Sequence, residues 1–436
     1  MKLPSLALAA ILLAPGTPIR ASEPRAEVYA LTGAKLVTVS SEAVAGGTLV
    51  IRDGLIEAVG KGIPIPKDAR VIDATGLVVT PGLIDALSGA GLPGPPRPGA
   101  GGGAPPPHPI NPLAPEVRAL DEIKAADVLK LRDSGFTTVL SVSREGVFPG
   151  QSALLDLWGK DLDAMVVKEK AALHLHMTSL RRQYPGSLMG TMAYVRQAFL
   201  DAAHAEEEEK AYEASPRGKK RPTFNRASSA LEAVLSGKEM LVVTAYKTND
   251  IRRALSLADE FKIKVAVAGA EPAYPLAELV KARHLPLLVS VNFDPPHAAP
   301  FRDGRDDDKE KREIEDSQKN PGELQKAKVS FALVSGYAED FLGGVRKAIE
   351  SGLDRDEAVR ALTLHPAEIL GIADRTGTLE VGKVANVAVW AGEPLVKETK
   401  LKLLFVDGHL YEPEAKDSGE GKDQKPKQVL EDEVTR

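Results

Sequence analysis

The chain has 436 residues, a formal net charge of −5 and 43% hydrophobic residues. Its length exceeds one small domain and suits a large barrel with a second unit, and so mild a charge gives no reason to expect nucleic acid as a partner. With no cysteine anywhere, disulfides, thiolate metal ligands and lipid attachment through sulfur are excluded, while the compartment is left open.

Residues 1–21 read as a signal peptide. Lys2 supplies a positive start, residues 3–13 form an apolar run too short to span a bilayer, and Ile19, Arg20 and Ala21 offer a cleavage site ending in a small residue. The expectation is export, periplasmic or secreted, with no membrane span after signal removal. From Glu27 the pattern becomes strand-like. Runs at 48–52 and 55–59 flank Asp53-Gly54, a strong two-residue hairpin signal. Residues 71–73 then lead through Ala74, Thr75 and Gly76 into an apolar run at 78–80. The same pattern returns near the other end, where runs at 385–390 and 401–406 precede a second Asp-Gly pair, Asp407-Gly408. Short hairpins at both ends predict one small β-sandwich completed by both, from 22–80 and 377–413.

Between them, over 81–376, strands alternate with helices, which argues for parallel β/α units. Buried-strand patterns occupy 136–142, 171–177, 241–246, 265–268, 287–291 and 329–335. Helical patterns occupy 121–133, 188–204, 250–262, 275–283, 339–350 and 354–363. With the run that follows Pro81-Gly82, seven β/α strands are legible. One more completes a (β/α)8 TIM-type barrel, so the fold class is α/β. Residues 89–115, dominated by Gly, Pro and Ala, read as a flexible insertion. Residues 302–319, crowded with charges of both signs, read as a second, solvated one. Residues 414–436 are charged and almost without apolar side chains, the composition of a disordered tail.

The stretch 78–91 reads V-V-T-P-G-L-I-D-A-L-S-G-A-G. In this form it resembles the first barrel strand of the amidohydrolase superfamily, in its imidazolonepropionase-like branch, where P-G-L-I-D-x-H-x-H is the usual wording. The segment T-L-H-P-A-E-I-L-G at 363–371, followed by G-T-L-E-V-G-K at 377–383, is similar to the same family's wording near its end. The resemblance implies a hydrolase of carbon–nitrogen bonds other than peptide bonds. Its metal would sit at the C-terminal ends of the barrel strands and lower the pKa of a bound water toward about 7.

Two histidines two apart on a strand point to one side and can grip one ion. Here those positions are Leu87 and Gly89. The family's later ligands are a histidine on each of two strands and a closing aspartate, and the matching positions hold Thr244, Ala268 and Gly336. Shifting the last two alignments by one residue restores neither a histidine nor an aspartate. The expectation is therefore a degenerate member without the ordinary metal site and with no cofactor. Such a protein binds a small-molecule ligand or a partner, an active amidohydrolase paralogue being one concrete form.

The alternative is an active metal-dependent amidohydrolase with a relocated site, the one case in which zinc is expected. His174-Leu175-His176 is an H-x-H on a predicted strand, and Glu271, Asp294 and His297 follow other strands. The same histidines also fit an interior, hydrogen-bonded role. Lys247 is a candidate amine nucleophile or anion-binding group, or a solvated lysine ahead of a helix. Arg181, beside Arg182, is a candidate clamp for a carboxylate or phosphate, or a loosely paired surface residue. His365 suits packing or capping, and His108, among prolines, suits solvent. A third reading is a purely structural interaction protein, with the two insertions as docking segments.

Overall fold

The two Asp-Gly pairs meet back to back. Asp53 and Gly54 both adopt positive φ (50° and 79°), as do Asp407 and Gly408 (51° and 75°), the geometry that a tight two-residue hairpin demands and glycine tolerates. A Cβ added to Gly408 would lie 2.4 Å from the Gly54 Cα, so the turns touch backbone to backbone. The computed structural model in which this is seen describes residues 27–93, 113–159, 161–180, 183–293, 307–338 and 340–413. The segments read as signal peptide and charged tail, and most of the Gly/Pro/Ala insertion, lie outside the described residues.

The first sheet takes β1 (Tyr29–Leu36), β2 (Val44–Arg52), β3 (Leu55–Gly60), β4 (Arg70–Asp73) and β5 (Val78–Pro81) from one end of the chain. Eight barrel strands follow: β6 (Leu83–Ser88), β7 (Phe136–Ser141), β8 (Gly150–Asp156), β9 (Val166–His176), β10 (Leu241–Ala245), β11 (Val265–Gly269), β12 (Leu287–Ser290) and β13 (Ala332–Val334). The other end returns β14 (Val387–Trp390), β15 (Leu401–Val406) and β16 (His409–Tyr411) to the first sheet. Both chain ends are thus joined as expected, in one hydrogen-bonded sheet in which β14 pairs directly with β5. Its core contains Leu31, Leu49 and Ile51 from one end and Val387, Val389 and Phe405 from the other. The Tyr29 and Phe405 rings meet edge to face at 5.2 Å.

The barrel has its eight strands, ordered β6 through β13. Seven are the parallel strands expected from sequence. The eighth is β8, which pairs antiparallel with both β7 and β9; its residues, G-Q-S-A-L-L-D, are half polar and follow β7 by hairpin rather than by helix. Alternation sorts the side chains. Ala172, Val242, Ala266, Ala268, Leu288 and Val334 fill the interior, while Leu173, Val243, Val267 and Val289 face the surrounding helices.

The charged segment at 302–319 is not a loose excursion where it is described: a helix covers Asp307–Lys326. Opposite charges three and four apart, Glu315 with Lys319 at 3.7 Å and Glu323 with Lys326 at 2.7 Å, support it. The acidic run after residue 204 likewise continues one helix, Leu188–Ala214. The single helix expected at 121–133 is instead broken into short turns, the last ending at Gly135.

Sheet and barrel are joined through Asn386. Its Nδ2 donates to Asp156 Oδ1 on β8 (3.2 Å), its Oδ1 accepts from the Asp407 amide (2.8 Å), and its carbonyl accepts from the Gly82 amide (2.8 Å). Asp156 also accepts from Thr138 Oγ1 at 2.6 Å, and burial still pushes its carboxyl up to about 6. Nearby, Trp158 stacks on His409 at 3.6 Å. Asn386→Ala strips a partner from the Asp156 carboxyl and from the Asp407 amide, both in part-buried bonds, so we expect a loss of roughly 1–2 kcal/mol, read from urea unfolding midpoints. A loss under about 0.5 kcal/mol would show that the two units are held together elsewhere.

Candidate functional site

Barrel chemistry belongs to the C-terminal ends of the parallel strands, and here the first thing found there is a seam. No backbone ladder joins β13 to β6 among the described residues. Asp85 bridges them instead: its Oδ1 accepts from the Ser335 amide (3.1 Å) and the Leu87 amide (3.2 Å), while Ser335 Oγ donates to the Leu87 carbonyl (3.0 Å). Burial raises the Asp85 carboxyl to about 6 against the pull of these donors. The ladder between β6 and β7 slips between Asp85 and Ser88, and the Leu87 side chain packs into the interior apolar cluster with Leu140, Val142 and Val334.

Beside the seam, Tyr337 and Arg144 form a stack. The Arg144 guanidinium lies 4.0 Å from the Tyr337 ring centre, and its Nη2 donates to the Tyr337 carbonyl at 2.6 Å. A Cβ added to Gly89 would meet this pair, 3.2 Å from Tyr337 Cδ1 and 3.8 Å from Arg144 Nε. On the next strand end, Gly336 sits at φ 54° and a Cβ there would fall 2.2 Å from Ser290 Oγ. Ser290 in turn accepts from the Asn292 amide at 3.1 Å and hydrogen-bonds Glu271, whose carboxyl burial raises to about 8. Ala268 is fully buried. The Arg144–Tyr337 stack and Asp85 border a cavity of about 860 Å³ whose lining also includes Ser88, Ser143 and Arg346. Arg144 has no carboxylate within ion-pair distance among the described residues.

The histidine pair lies elsewhere in the mouth. His174 is wholly buried, and neither of its ring nitrogens has a partner; His176 Nε2 and the Oγ1 of Thr244, its neighbour across the β9–β10 ladder, are also buried and unpartnered. Burial pulls His174 down to about 3, with the neighbouring His176 adding to the effect, and pulls His176 to about 4 despite its bonding to the backbone at Arg144 and Gly146. Neither histidine lines the cavity. Among the described residues, no group of three or more His, Cys, Asp or Glu side chains is placed to hold a metal ion. Asp294, His297, Arg181 and His108 lie outside the described residues. Lys247 is exposed at the start of the helix Thr248–Phe261. His365 packs as expected, its Nδ1 3.0 Å from the Phe331 carbonyl.

The matching family model, that of the Amidohydrolase family, covers residues 306–418, from the helix before β13 to the end of the sheet. Over that stretch the chain is similar to the amidohydrolase family. A solved amidohydrolase from Thermotoga maritima MSB8 shares the fold at a TM-score of 0.74 and 24% identity, over 88% of this chain and 99% of that one. A Xaa-Pro dipeptidase with methionine bound in its active site superposes at a TM-score of 0.55 and 15% identity, over 88% and 100% of the two chains. A dihydroorotase of Geotalea daltonii is 60% identical over 37 residues, which is 8% of this chain and 9% of that enzyme. The match to this curated relative therefore spans less than a tenth of its length, and what the structural likenesses carry is the fold. Among the described residues no helix is long and apolar enough to cross a membrane.

Arg144 and Tyr337 escaped the sequence reading because neither belongs to a motif; the approach of the β7–β8 turn to the end of β13 brings them together. The buried groups give opposing pH limbs. Depressed histidines stabilise the fold above their unfolded value near 6.5 and lose that contribution as pH falls toward 4 and then 3. Glu271, raised to about 8, contributes most below about 4.5 and loses it as pH rises to 8. We expect Glu271→Gln to flatten the alkaline limb between pH 6 and 8, where wild type loses up to about 1.4 kcal/mol per pH unit. Identical stability curves for the two proteins would place Glu271 in water.

Proposed function

We propose that this protein, an amidohydrolase-superfamily member and by ancestry a hydrolase of non-peptide carbon–nitrogen bonds, works without the ordinary metal arrangement and uses the barrel mouth to bind a small polar ligand. The observation that carries the reading is the lack of room at Gly336, where an added Cβ would fall 2.2 Å from Ser290 Oγ at a positive φ; at Gly89 the fit is tight, 3.2 Å from Tyr337 Cδ1. At Leu87, Thr244 and Ala268 the side chains are hydrocarbon or hydroxyl, poor donors for a hydrolytic metal. Export through the signal-like segment at 1–21 is part of the proposal, which would put the ligand in a periplasm or the surrounding medium.

Arg144 defines what kind of ligand fits. It borders the cavity, stacks on Tyr337, spends one N–H on a carbonyl and has no carboxylate within ion-pair distance among the described residues. Its remaining N–H groups suit a carboxylate or a similar planar anion. Ser88 and Ser143 line the same cavity and can hydrogen-bond the rest of a small polar molecule.

A second reading is favoured by the orphaned ring nitrogens of His174 and His176, which an ion would satisfy. It requires further ligands from outside the described residues, Asp294 and His297 being the sequence candidates. Metal analysis of protein produced in zinc-supplemented medium separates the two. On the first reading bound zinc stays far below one equivalent, and a His174→Ala/His176→Ala double variant leaves it unchanged. Stoichiometric zinc lost in that variant establishes the second reading. On the first reading, too, Gly336→Asp does not create a metal site but destabilises the fold by roughly 2–4 kcal/mol, from the Ser290 clash and a side chain at positive φ.

A further inference from the structure

A second cavity, of about 640 Å³, lies on the outside of the barrel. It exists because β8 is antiparallel. A parallel strand would be followed by a covering helix; over β8 the wall is supplied instead by the segment around Glu116–Arg118, which pairs with β8 at Gln151. The opposite wall is the helix Arg226–Leu235 with the turn that follows it to Glu239.

Two of the carboxylates that line this cavity each keep a buried oxygen without a hydrogen-bond partner. Glu239 is 8% exposed; its Oε2 accepts from Gln151 Nε2 at 3.2 Å, and its Oε1 is buried without a partner. Glu116 Oε2 is also buried without a partner, and both residues line the cavity. A buried carboxylate oxygen left unpaired costs more than a neutral one. Burial accordingly raises the Glu239 carboxyl from its ordinary range, with Lys170 opposing from a distance. No lysine or arginine among the described residues reaches Glu239 or Glu116 as an ion pair; Arg118 at the same cavity is engaged by Asp121 at 2.5 Å. At the rim, Phe224 is 76% exposed, an apolar surface beside a polar interior.

We propose that this cavity is a binding site for an organic monocation, an ammonium or guanidinium head on a short apolar stem. The head donates to Glu239 Oε1 and Glu116 Oε2, and the stem lies along Phe224. A metal ion is a poorer occupant, since no group of three or more His, Cys, Asp or Glu among the described residues is placed to hold one. The site is separate from the barrel mouth and does not depend on whether the mouth binds a metal.

The test titrates the full chain with n-butylammonium, observed by amide chemical-shift changes, against butyltrimethylammonium, which has the charge and stem but no N–H. We expect saturable binding of n-butylammonium with a dissociation constant of about 1 mM or below, within reach of a ligand this small. Shifts should centre on 116–121, 151 and 226–239. Butyltrimethylammonium and the isosteric variants Glu239→Gln and Glu116→Gln should each weaken binding about tenfold or more. Thermal unfolding confirms that the variants are folded, and should Glu239→Gln fail to fold, Glu116→Gln and the trimethyl comparison decide alone. Absence of saturable binding, equal binding of the two cations, or variants that bind like wild type would each overturn the proposal.

Discussion

A barrel must close, and this one closes through side chains. Between β13 and β6 the backbone ladder is missing among the described residues, and its work passes to Asp85 and Ser335. That substitution constrains everything at the mouth. Asp85 must stay in place to accept two amides, which fixes the slip in β6 and sends the Leu87 side chain into the interior. Ser335 must present its amide and hydroxyl to β6, which fixes the backbone of Gly336 and the ring of Tyr337 one and two residues later. The seam therefore decides which side chains reach the cavity before any ligand is considered. Its weak point is also plain, since a carboxyl raised to about 6 by burial is near its titration range at neutral pH.

The reversed strand β8 acts on the opposite wall. A regular β/α unit covers each strand's outer face with its own helix. Inserting one antiparallel strand leaves a face that must be roofed by whatever chain is near, and polar residues are admitted where hydrocarbon would otherwise pack. Gln151, Glu239 and Glu116 are those residues. At its far end β8 places Asp156 under Asn386, so the same strand both opens a polar cavity and ties the barrel to the sheet.

Most of the architecture was legible because it rests on local signals. Asp53-Gly54 and Asp407-Gly408 announce hairpins, and unbroken apolar runs announce parallel strands buried on both faces. Gly150–Asp156 was missed because Gln151 and Ser152 interrupt its apolar run, and an antiparallel insertion carries no helix to flag it. The helix Asp307–Lys326 was misread because a segment rich in both charges looks the same whether solvated or helical; the spacing of its ion pairs was the usable sign. At the site, the five positions that resemble ligand positions could be read one by one, since they sit inside motifs. The Arg144–Tyr337 stack could not, because it joins residues 193 apart by number and neither is unusual in its own neighbourhood.

A side chain missing from one ligand position can be restored if its space survives. At Gly336 the space does not survive: Ser290 Oγ occupies it, and Ser290 is held there by the Asn292 amide and by Glu271. At Gly89 the space belongs to a tyrosine ring stacked on an arginine. Each neighbour is fixed by further contacts of its own, so returning a ligand at one position means moving a network at another. Such coupling means that a side chain added at either position is felt at the next, while the seam that closes the barrel rests on Asp85 and Ser335.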